Sequence, residues 1–274
     1  MDIVVDIAGC KKDMVLDSEP SIGEALRWNT RVPTLHMGDT PVGPVGAAAM
    51  AEALSRNRTL TSVDLSETSI GNTGATALAE ALLVNTTVSY LKLWSTGIDG
   101  TGALSLARAL RTNIGLEVLS LANNDLGEDG VVAIADALHT NTTLATLNLL
   151  NTASGDRGAY AFAGVLALNA TLTSLSLGHN RVTNKGAEAL ATSLRTNRTL
   201  THLSLPGNTM VTAGARAFAD ALCENTRLQR FCYDRHFVLH DTNDVIQELL
   251  RRNNNIAECW ERRLELVAWR DSYE

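Results

Sequence analysis

Asparagine stands at Asn29, Asn57, Asn85, Asn113, Asn141, Asn169, Asn197, Asn225 and Asn253, every step being 28 residues. Three residues before each is a leucine: Leu26, Leu54, Leu82, Leu110, Leu138, Leu166, Leu194, Leu222 and Leu250. Glycine keeps its own phase at Gly46, Gly74, Gly102, Gly130, Gly158, Gly186 and Gly214. No insertion or deletion disturbs these marks. A chain built this way folds as a stack, because each unit must repeat what the unit before it does. The 274 residues hold nine such units with 22 residues left over.

After each asparagine comes a short segment of period two. Leu60, Val63, Leu65 and Ile70 mark it in one unit, Leu116, Leu119, Leu121 and Leu126 in another, Leu172, Leu175, Leu177 and Val182 in a third. Alternation of this kind is a strand signature. An alanine-rich stretch follows, such as "GATALAEALLVN", in which Ala75, Leu78, Ala79 and Leu82 take helical spacing. The asparagine after the last turn is expected in the left-handed conformation that ends helices. Each unit is then strand, turn, helix, turn, and buries its apolar face only against its neighbours. Parallel strands stack ~4.8 Å apart, whereas packed helices need ~8–10 Å. The mismatch bends the stack, with the sheet inside and the helices outside. Aromatic residues make up only 4% of the chain, which suits a thin repeated core.

These residues resemble a leucine-rich repeat of the ribonuclease-inhibitor type, the class found in the sensor arms of NOD-like receptors and in the Ran GTPase-activating protein. The resemblance covers residues ~21–255 and implies an α/β solenoid, a horseshoe with a parallel sheet on its concave face and helices on its convex face. It also implies protein recognition, usually by the concave face. One departure is threonine (Thr40, Thr68, Thr96, Thr152) in the slot where that class carries a turn asparagine. Threonine also bonds turn backbone, so little consequence is expected.

The whole chain, 1–274, reads as a single leucine-rich repeat domain. Residues 1–20 form a degenerate N-terminal cap strand, with Val4, Ile7 and Met14 falling 28 before Val32, Leu35 and Val42. Regular repeats occupy 21–255. At the far end Phe231, Tyr233 and His236 replace Leu, Leu and Asn. Residues 256–274 form a C-terminal cap helix with Ile256, Trp260, Leu264 and Val267 on one face. Trp260 and Trp269 are read as packing within that cap.

Several chemistries find no support. The net charge of −7 and a pI near 5.4 argue against a nucleic-acid binder. No run approaches the ~18 apolar residues of a membrane span, and Met1 to Lys12 has no basic leader. A cytoplasmic location is therefore expected. Cys10, Cys223, Cys232 and Cys259 form no C-x-x-C pair. They read as buried reduced thiols, although Cys223 and Cys232 stand where the last units stack. The histidines show no metal-ligand spacing, and neither metal nor cofactor is expected. Five N-x-T sequons, at Asn57, Asn85, Asn141, Asn169 and Asn197, fall in the helix-ending slot and are generated by the repeat itself. The chain contains no G-x-x-x-x-G-K-[ST] phosphate loop and no nucleophile motif, so it is read as non-enzymatic.

Function must then come from positions the framework leaves free. These are the outward strand residues, mostly small and polar: Thr34 and His36, Ser62 and Asp64, Ser174 and Ser176. The middle differs. Tyr90, Lys92 and Trp94 lie in one unit, with Val118, Ala122 and Leu150 in the next two. They read either as a contiguous apolar and aromatic binding patch, Trp and Tyr being enriched in hot spots, or as scattered surface hydrophobes. Charge is uneven as well. Residues 1–137 carry 9 Lys+Arg against 17 Asp+Glu, and residues 138–274 carry 14 against 13. Asp39, Asp64 and Glu67 mark one end of the concave rim and His179, His202, Arg230 and Arg235 the other. This gradient either orients a partner or is drift on a solvated surface. The first reading is a monomeric module that binds a protein partner through the concave face. The alternatives are a GTPase activator resembling the Ran activator, with Arg157 and Arg181 available, and a structural subunit of a larger assembly.

Overall fold

An apolar residue between two polar ones yields a three-residue strand in each unit. A computed structural model describes residues 4–6, 23 and 26–271, and the side chains of residues 26–255. Strands β1 (Val4–Asp6), β2 (Thr34–His36), β3 (Ser62–Asp64), β4 (Tyr90–Lys92), β5 (Val118–Ser120), β6 (Thr146–Asn148), β7 (Ser174–Ser176), β8 (His202–Ser204) and β9 (Arg230–Cys232) form one sheet in chain order. Every pairing is parallel. Helices α1 (Gly43–Arg56), α2 (Gly71–Leu82), α3 (Gly100–Leu110), α4 (Gly127–Ala137), α5 (Gly155–Leu166), α6 (Asn184–Leu194), α7 (Thr212–Glu224) and α8 (His240–Asp271) follow the strands one by one. The chain is thus an α/β repeat solenoid with an unclosed sheet.

From β2 onward, residues 28 apart pair, as in Leu35↔Val63 and Leu203↔Phe231. The N-terminal strand is present but shifted. Val5, not Ile7, pairs with Leu35, so the first step is 30 residues rather than 28. Ile7 and Met14 lie outside the described residues.

The middle residue of each strand from β2 to β9 is buried. It joins the leucines two residues on and those of the helices, such as Leu65, Leu78 and Leu82, in one continuous core. The phased glycines set how closely the helices approach. A Cβ on Gly74 would lie 2.8 Å from the Ala47 Cβ, and one on Gly130 would lie 3.0 Å from the Ala103 Cβ. Glycine against alanine in adjacent first turns brings the helices together, which accounts for the alanine-rich, aromatic-poor composition.

The repeated asparagines do not end the helices in the left-handed form. Asn57 has φ −68° and ψ 138°, and Asn225 has φ −83° and ψ 123°. They are extended and buried because their side chains bridge units. Asn141 Nδ2 donates to the carbonyls of Leu110 (2.7 Å) and Asn113 (3.1 Å), while its Oδ1 accepts from the amides of Thr143 (3.0 Å) and Leu144 (2.8 Å). Asn57, Asn85, Asn113 and Asn225 repeat the set. The positive φ values fall instead just past the strands, at Asp39, Glu67, Ser95, Asn123, Asn151, His179 and Gly207.

The threonine slot also behaves differently from expectation. Asn124 bridges units: its Oδ1 accepts from the amides of Thr96 (3.1 Å) and Ile98 (3.0 Å), and its Nδ2 donates to Leu93 O (2.7 Å). Asn180 and Asn208 do the same one and two units further on from Thr152. The Thr40 and Thr68 hydroxyls bond the carbonyl three residues back in their own turn, and those of Thr96 and Thr152 do the same while also lying 3.2 Å from the Oδ1 of Asn124 and Asn180, the asparagines that reach back to them. None of the four hydroxyls reaches the unit before its own, because the threonine side chain is shorter than that of asparagine.

The C-terminal end closes differently from the repeats. Phe231 packs on Phe218 with ring centroids 4.2 Å apart and on Tyr233 at 4.6 Å. Tyr233 donates its hydroxyl to Asn243 Oδ1 at 2.7 Å. Helix α8 begins at His240, well before residue 256, and buries Ile246 and Leu250. Asn253 therefore sits inside a helix, yet its Nδ2 still reaches Asn225 O (3.1 Å) and Leu228 O (2.8 Å). The side chains of Ile256, Cys259, Trp260, Leu264, Val267 and Trp269, and all of Cys10, lie outside the described residues. Cys223 and Cys232 are exposed, not buried, and unpaired. One lies on α7 and the other on the opposite, sheet face, so they do not meet. Among the described residues no helix is long and apolar enough to cross a membrane.

Candidate protein-binding face

The sheet's open face is made of the strand residues that flank each buried leucine. Their columns are set by register: Thr34, Ser62, Tyr90, Val118, Thr146, Ser174, His202 and Arg230 in one, His36, Asp64, Lys92, Ser120, Asn148, Ser176, Ser204 and Cys232 in the other. Tyr90 and Val118 are direct partners across β4 and β5. Trp94 and Leu150 stand two residues beyond their strands. Tyr90, Trp94, Val118 and Leu150 are all half-buried. Ala122, between Trp94 and Leu150, is only 2% exposed. It is the floor of the patch rather than part of its contact surface, because larger neighbours flank a methyl group.

Lys92 organises the polar side. Its Nζ lies 3.4 Å from Asp64 Oδ2 and 5.3 Å from the centre of the Tyr90 ring. Partial burial pulls the ammonium pKa down, but the Asp64 carboxylate and the Tyr90 hydroxyl outweigh it and hold the pKa above its ordinary value. Asp64 also accepts from the amide (3.0 Å) and hydroxyl (2.6 Å) of Ser66. It is committed to this network rather than free to meet a partner. A cation over an aromatic face beside an apolar strip suits a mixed apolar and polar protein surface.

The remaining candidates are not part of this patch. Glu67 and His179 occupy equivalent rim positions with φ 60° and 55° and are exposed, four units apart. His202 and Arg230 pair across β8 and β9, four and five strands from Tyr90, roughly 20 Å or more away at the ~4.8 Å strand spacing. Burial, then the neighbouring Arg230 charge, lowers the His202 pKa, so that end holds a neutral ring beside a cation. The face thus carries two regions, an aromatic middle and a basic end. Asp39 and Arg235 are exposed rim residues. Of the arginines considered for GTPase activation, Arg157 is tied to Asp129 at 2.8 Å and Glu128 at 3.5 Å, and Arg181 is exposed with φ 60°. Among the described residues no group of three or more His, Cys, Asp or Glu could hold a metal ion.

Ser66 reads in sequence as one more outward polar residue beside Ser62 and Asp64, and its fixing of Asp64 was not foreseen. Sequence reasoning missed that the largest exposures of apolar side chains are off this face, at Trp28 (75%), Leu168 (78%) and Ile114 (69%). The available signal was the framework itself, since these slots hold threonine, arginine or alanine in most other units.

A family model described as the TMOD/LMOD leucine-rich domain matches residues 131–256, and a leucine-rich repeat model matches residues 56–79 and 112–135. Among solved structures, the one titled leiomodin-1 actin-binding site 2 is 28% identical, with a TM-score of 0.53, over 63% of this chain and 96% of that one. The C-terminal domain of tropomodulin from Caenorhabditis elegans is 17% identical, with a TM-score of 0.53, over 61% of this chain and 98% of that one. No curated protein sequence matches the chain. The chain carries leucine-rich repeats, as the 28-residue period and the resemblance implied.

Proposed function

We propose that this chain is a non-enzymatic recognition module that takes a protein partner on its concave sheet face, centred on Tyr90, Trp94, Val118 and Leu150. The observation that carries the reading is the half-buried aromatic and aliphatic cluster set in a sheet face of small polar side chains. Such a cluster is already partly desolvated, so a partner completes its burial with little further ordering. Lys92, fixed by Asp64 and Tyr90, supplies a positioned cation at its edge. The reading has the module act as a monomer in the cytoplasm. Exposed free thiols at Cys223 and Cys232 suit a reducing compartment, and Asn57, Asn85, Asn141 and Asn197 are buried in the ladder and closed to glycosylation.

Actin is the first partner to test, because the similar leiomodin-1 structure is titled an actin-binding site. Co-sedimentation with filaments and a monomer-binding titration would measure it. The expected result is binding that falls by tenfold or more in the Tyr90→Ala, Trp94→Ala double variant, with unchanged circular dichroism. Binding that survives the double variant would move the site off the concave face. No binding at concentrations of tens of micromolar would remove actin as the partner. Sedimentation velocity across concentration checks the monomer.

A further inference from the structure

We propose a second docking surface on the edge of the solenoid where helices run into strands, built by Arg56, Arg58, Leu83, Val84, Arg111 and Ile114 and suited to an acidic protein segment with aliphatic or aromatic residues at its centre. It is independent of the concave-face reading.

The three units that contribute are neighbours on the asparagine ladder. Asn85 Nδ2 reaches Leu54 O (2.7 Å) and Asn57 O (3.1 Å), and Asn113 Nδ2 reaches Leu82 O (2.7 Å) and Asn85 O (2.9 Å). These bonds place Arg56 and Arg58 beside Leu83 and Val84, and those beside Arg111 and Ile114. All six are exposed, with Leu83 at 42%, Val84 at 55% and Ile114 at 69%. A recess of about 50 Å³ between α2 and α3, walled in part by Thr76, Leu83 and Ser105, opens beside them.

The framework does not ask for apolar side chains here. Threonine fills Val84's slot at Thr112, Thr140 and Thr196, and Ile114's slot at Thr30, Thr86 and Thr142. Leu83's slot holds Ser55, Arg111, His139 and Arg195, so exposing three adjacent aliphatics where polar residues serve the fold costs solvation free energy and gains no packing. Leu168, on the same edge, stands alone between Ala167 and Ala170.

Charge selects the partner. The segments 55–59, 83–87 and 111–115 contain three arginines and no carboxylate. Among the described residues Arg56, Arg58 and Arg111 form no ion pair. The acids nearest in sequence are Glu117, exposed two residues past Gly115, and Glu52 and Glu80, a turn back on α1 and α2, where Glu80 shares the wall of the recess with Arg108. One nitrogen of Arg58 is anchored on the carbonyls of Ser55 (3.0 Å) and Asn57 (2.9 Å), which fixes the guanidinium and leaves other donors for an incoming carboxylate. An apolar centre rimmed by arginines is complementary to an aliphatic segment rimmed by Asp and Glu.

The test follows the labelled methyls of Ile, Leu and Val by NMR. The probe is a synthetic peptide with a central Leu-Phe-Leu run flanked by Asp and Glu, compared with the same peptide carrying Lys in place of the acids. The expected result is shifts at Leu83, Val84 and Ile114 with Val118 and Leu150 unmoved, and no response to the lysine peptide. Arg56→Glu with Arg111→Glu should weaken binding about tenfold or more, while Tyr90→Ala with Trp94→Ala leaves it unchanged. Silence of the three methyls up to millimolar peptide overturns the proposal, as do shifts confined to Val118 and Leu150 or equal affinity in the charge-reversed variant. Vesicles of phosphatidylserine and phosphatidylcholine that perturb these methyls when the peptide does not would also overturn it, in favour of a lipid surface.

Discussion

The two edges of the sheet are stitched by different ladders. Where helices run into strands, an asparagine in every unit from Asn57 to Asn225 bridges to the unit before it, usually with two donated and two accepted bonds, nearly all of them buried. Where strands run into helices, Asn124, Asn180 and Asn208 bridge from the corresponding slot, and Asn72, Asp156 and Asn184 at the helix starts accept amides of the next unit. Three steps there, Thr40 to Thr68, Thr68 to Thr96 and Asn124 to Thr152, end on a threonine in that slot and lack its asparagine bridge. At each of those steps a left-handed glycine joins the units, as Gly155 N also does to Asn180 O (3.0 Å) beside the Asn180 bridge. Gly43 N donates to Thr68 O (3.0 Å), Gly71 N to Thr96 O (3.0 Å) and Gly127 N to Thr152 O (3.1 Å). One edge is held by a side chain of fixed length, the other by side chain, backbone or both. The first is uniform from unit to unit, and the second varies from step to step.

The largest effect should come from the uniform edge. Asn141→Ala removes four bonds in a site 3% exposed and should cost about 3 kcal/mol, read by urea unfolding. A cost below about 1 kcal/mol would show that the ladder is decoration. On the mixed edge, Asn124→Thr keeps the turn but loses the bridge to Thr96 and Ile98, and should cost about 2 kcal/mol. Hydrogen exchange should locate the loss at those two amides. Gly71→Ala should cost roughly 1–2 kcal/mol from φ +58° alone, because no atom lies within 4 Å of the added Cβ. Thermal melts compared with the same change at Gly164, where the Cβ also meets nothing and φ is ordinary, would isolate that strain.

A gain is expected at Ser154. Its slot holds Val42, Ile70, Ile98, Leu126, Val182 and Met210 in other units, and its hydroxyl is buried without a partner. Ser154→Val should stabilise the chain by about 1 kcal/mol in the same unfolding measurement. The smallest effect is on pH. The His202 pKa is lowered from its ordinary 6.5, so the unfolded chain takes up a proton first. Stability contributed by the neutral ring is present above that value and declines as pH falls through 6.5 toward the lower folded value. A stability-versus-pH series in which His202→Gln flattens this slope would check the sign.

Between the two ends the strands, the helices and which strand residues face outward were legible, because period two and period 3.6 are printed in the apolar residues of the regular units. The role of the repeated asparagine was not. In sequence, an asparagine after a helix looks the same whether it turns the chain or crosses to a neighbour. The distinction lies in a carbonyl 31 residues back, at Leu110 for Asn141. The candidate patch was half legible. Register brought Tyr90 and Val118 together as the 28-residue step required, but burial of Ala122 and the engagement of Asp64 depend on the size and reach of neighbouring side chains. Thiol exposure at Cys223 and Cys232 likewise follows from which face of α7 and β9 meets solvent.

What the sequence determined by itself was a one-dimensional arrangement. A local pattern repeated without slippage specifies its own neighbours, since residue i meets residue i+28 whatever the tertiary detail. The tertiary structure decided everything that depends on the gap between units: where asparagine, glycine or both close it, where the first strand shifts by two residues, and how α8 starts at His240 to cover the last layer. It also decided which surface is open. Curvature and side-chain reach leave the concave aromatics half-covered and the arginine-rimmed aliphatics of the edge in solvent, and neither quantity is written in a period.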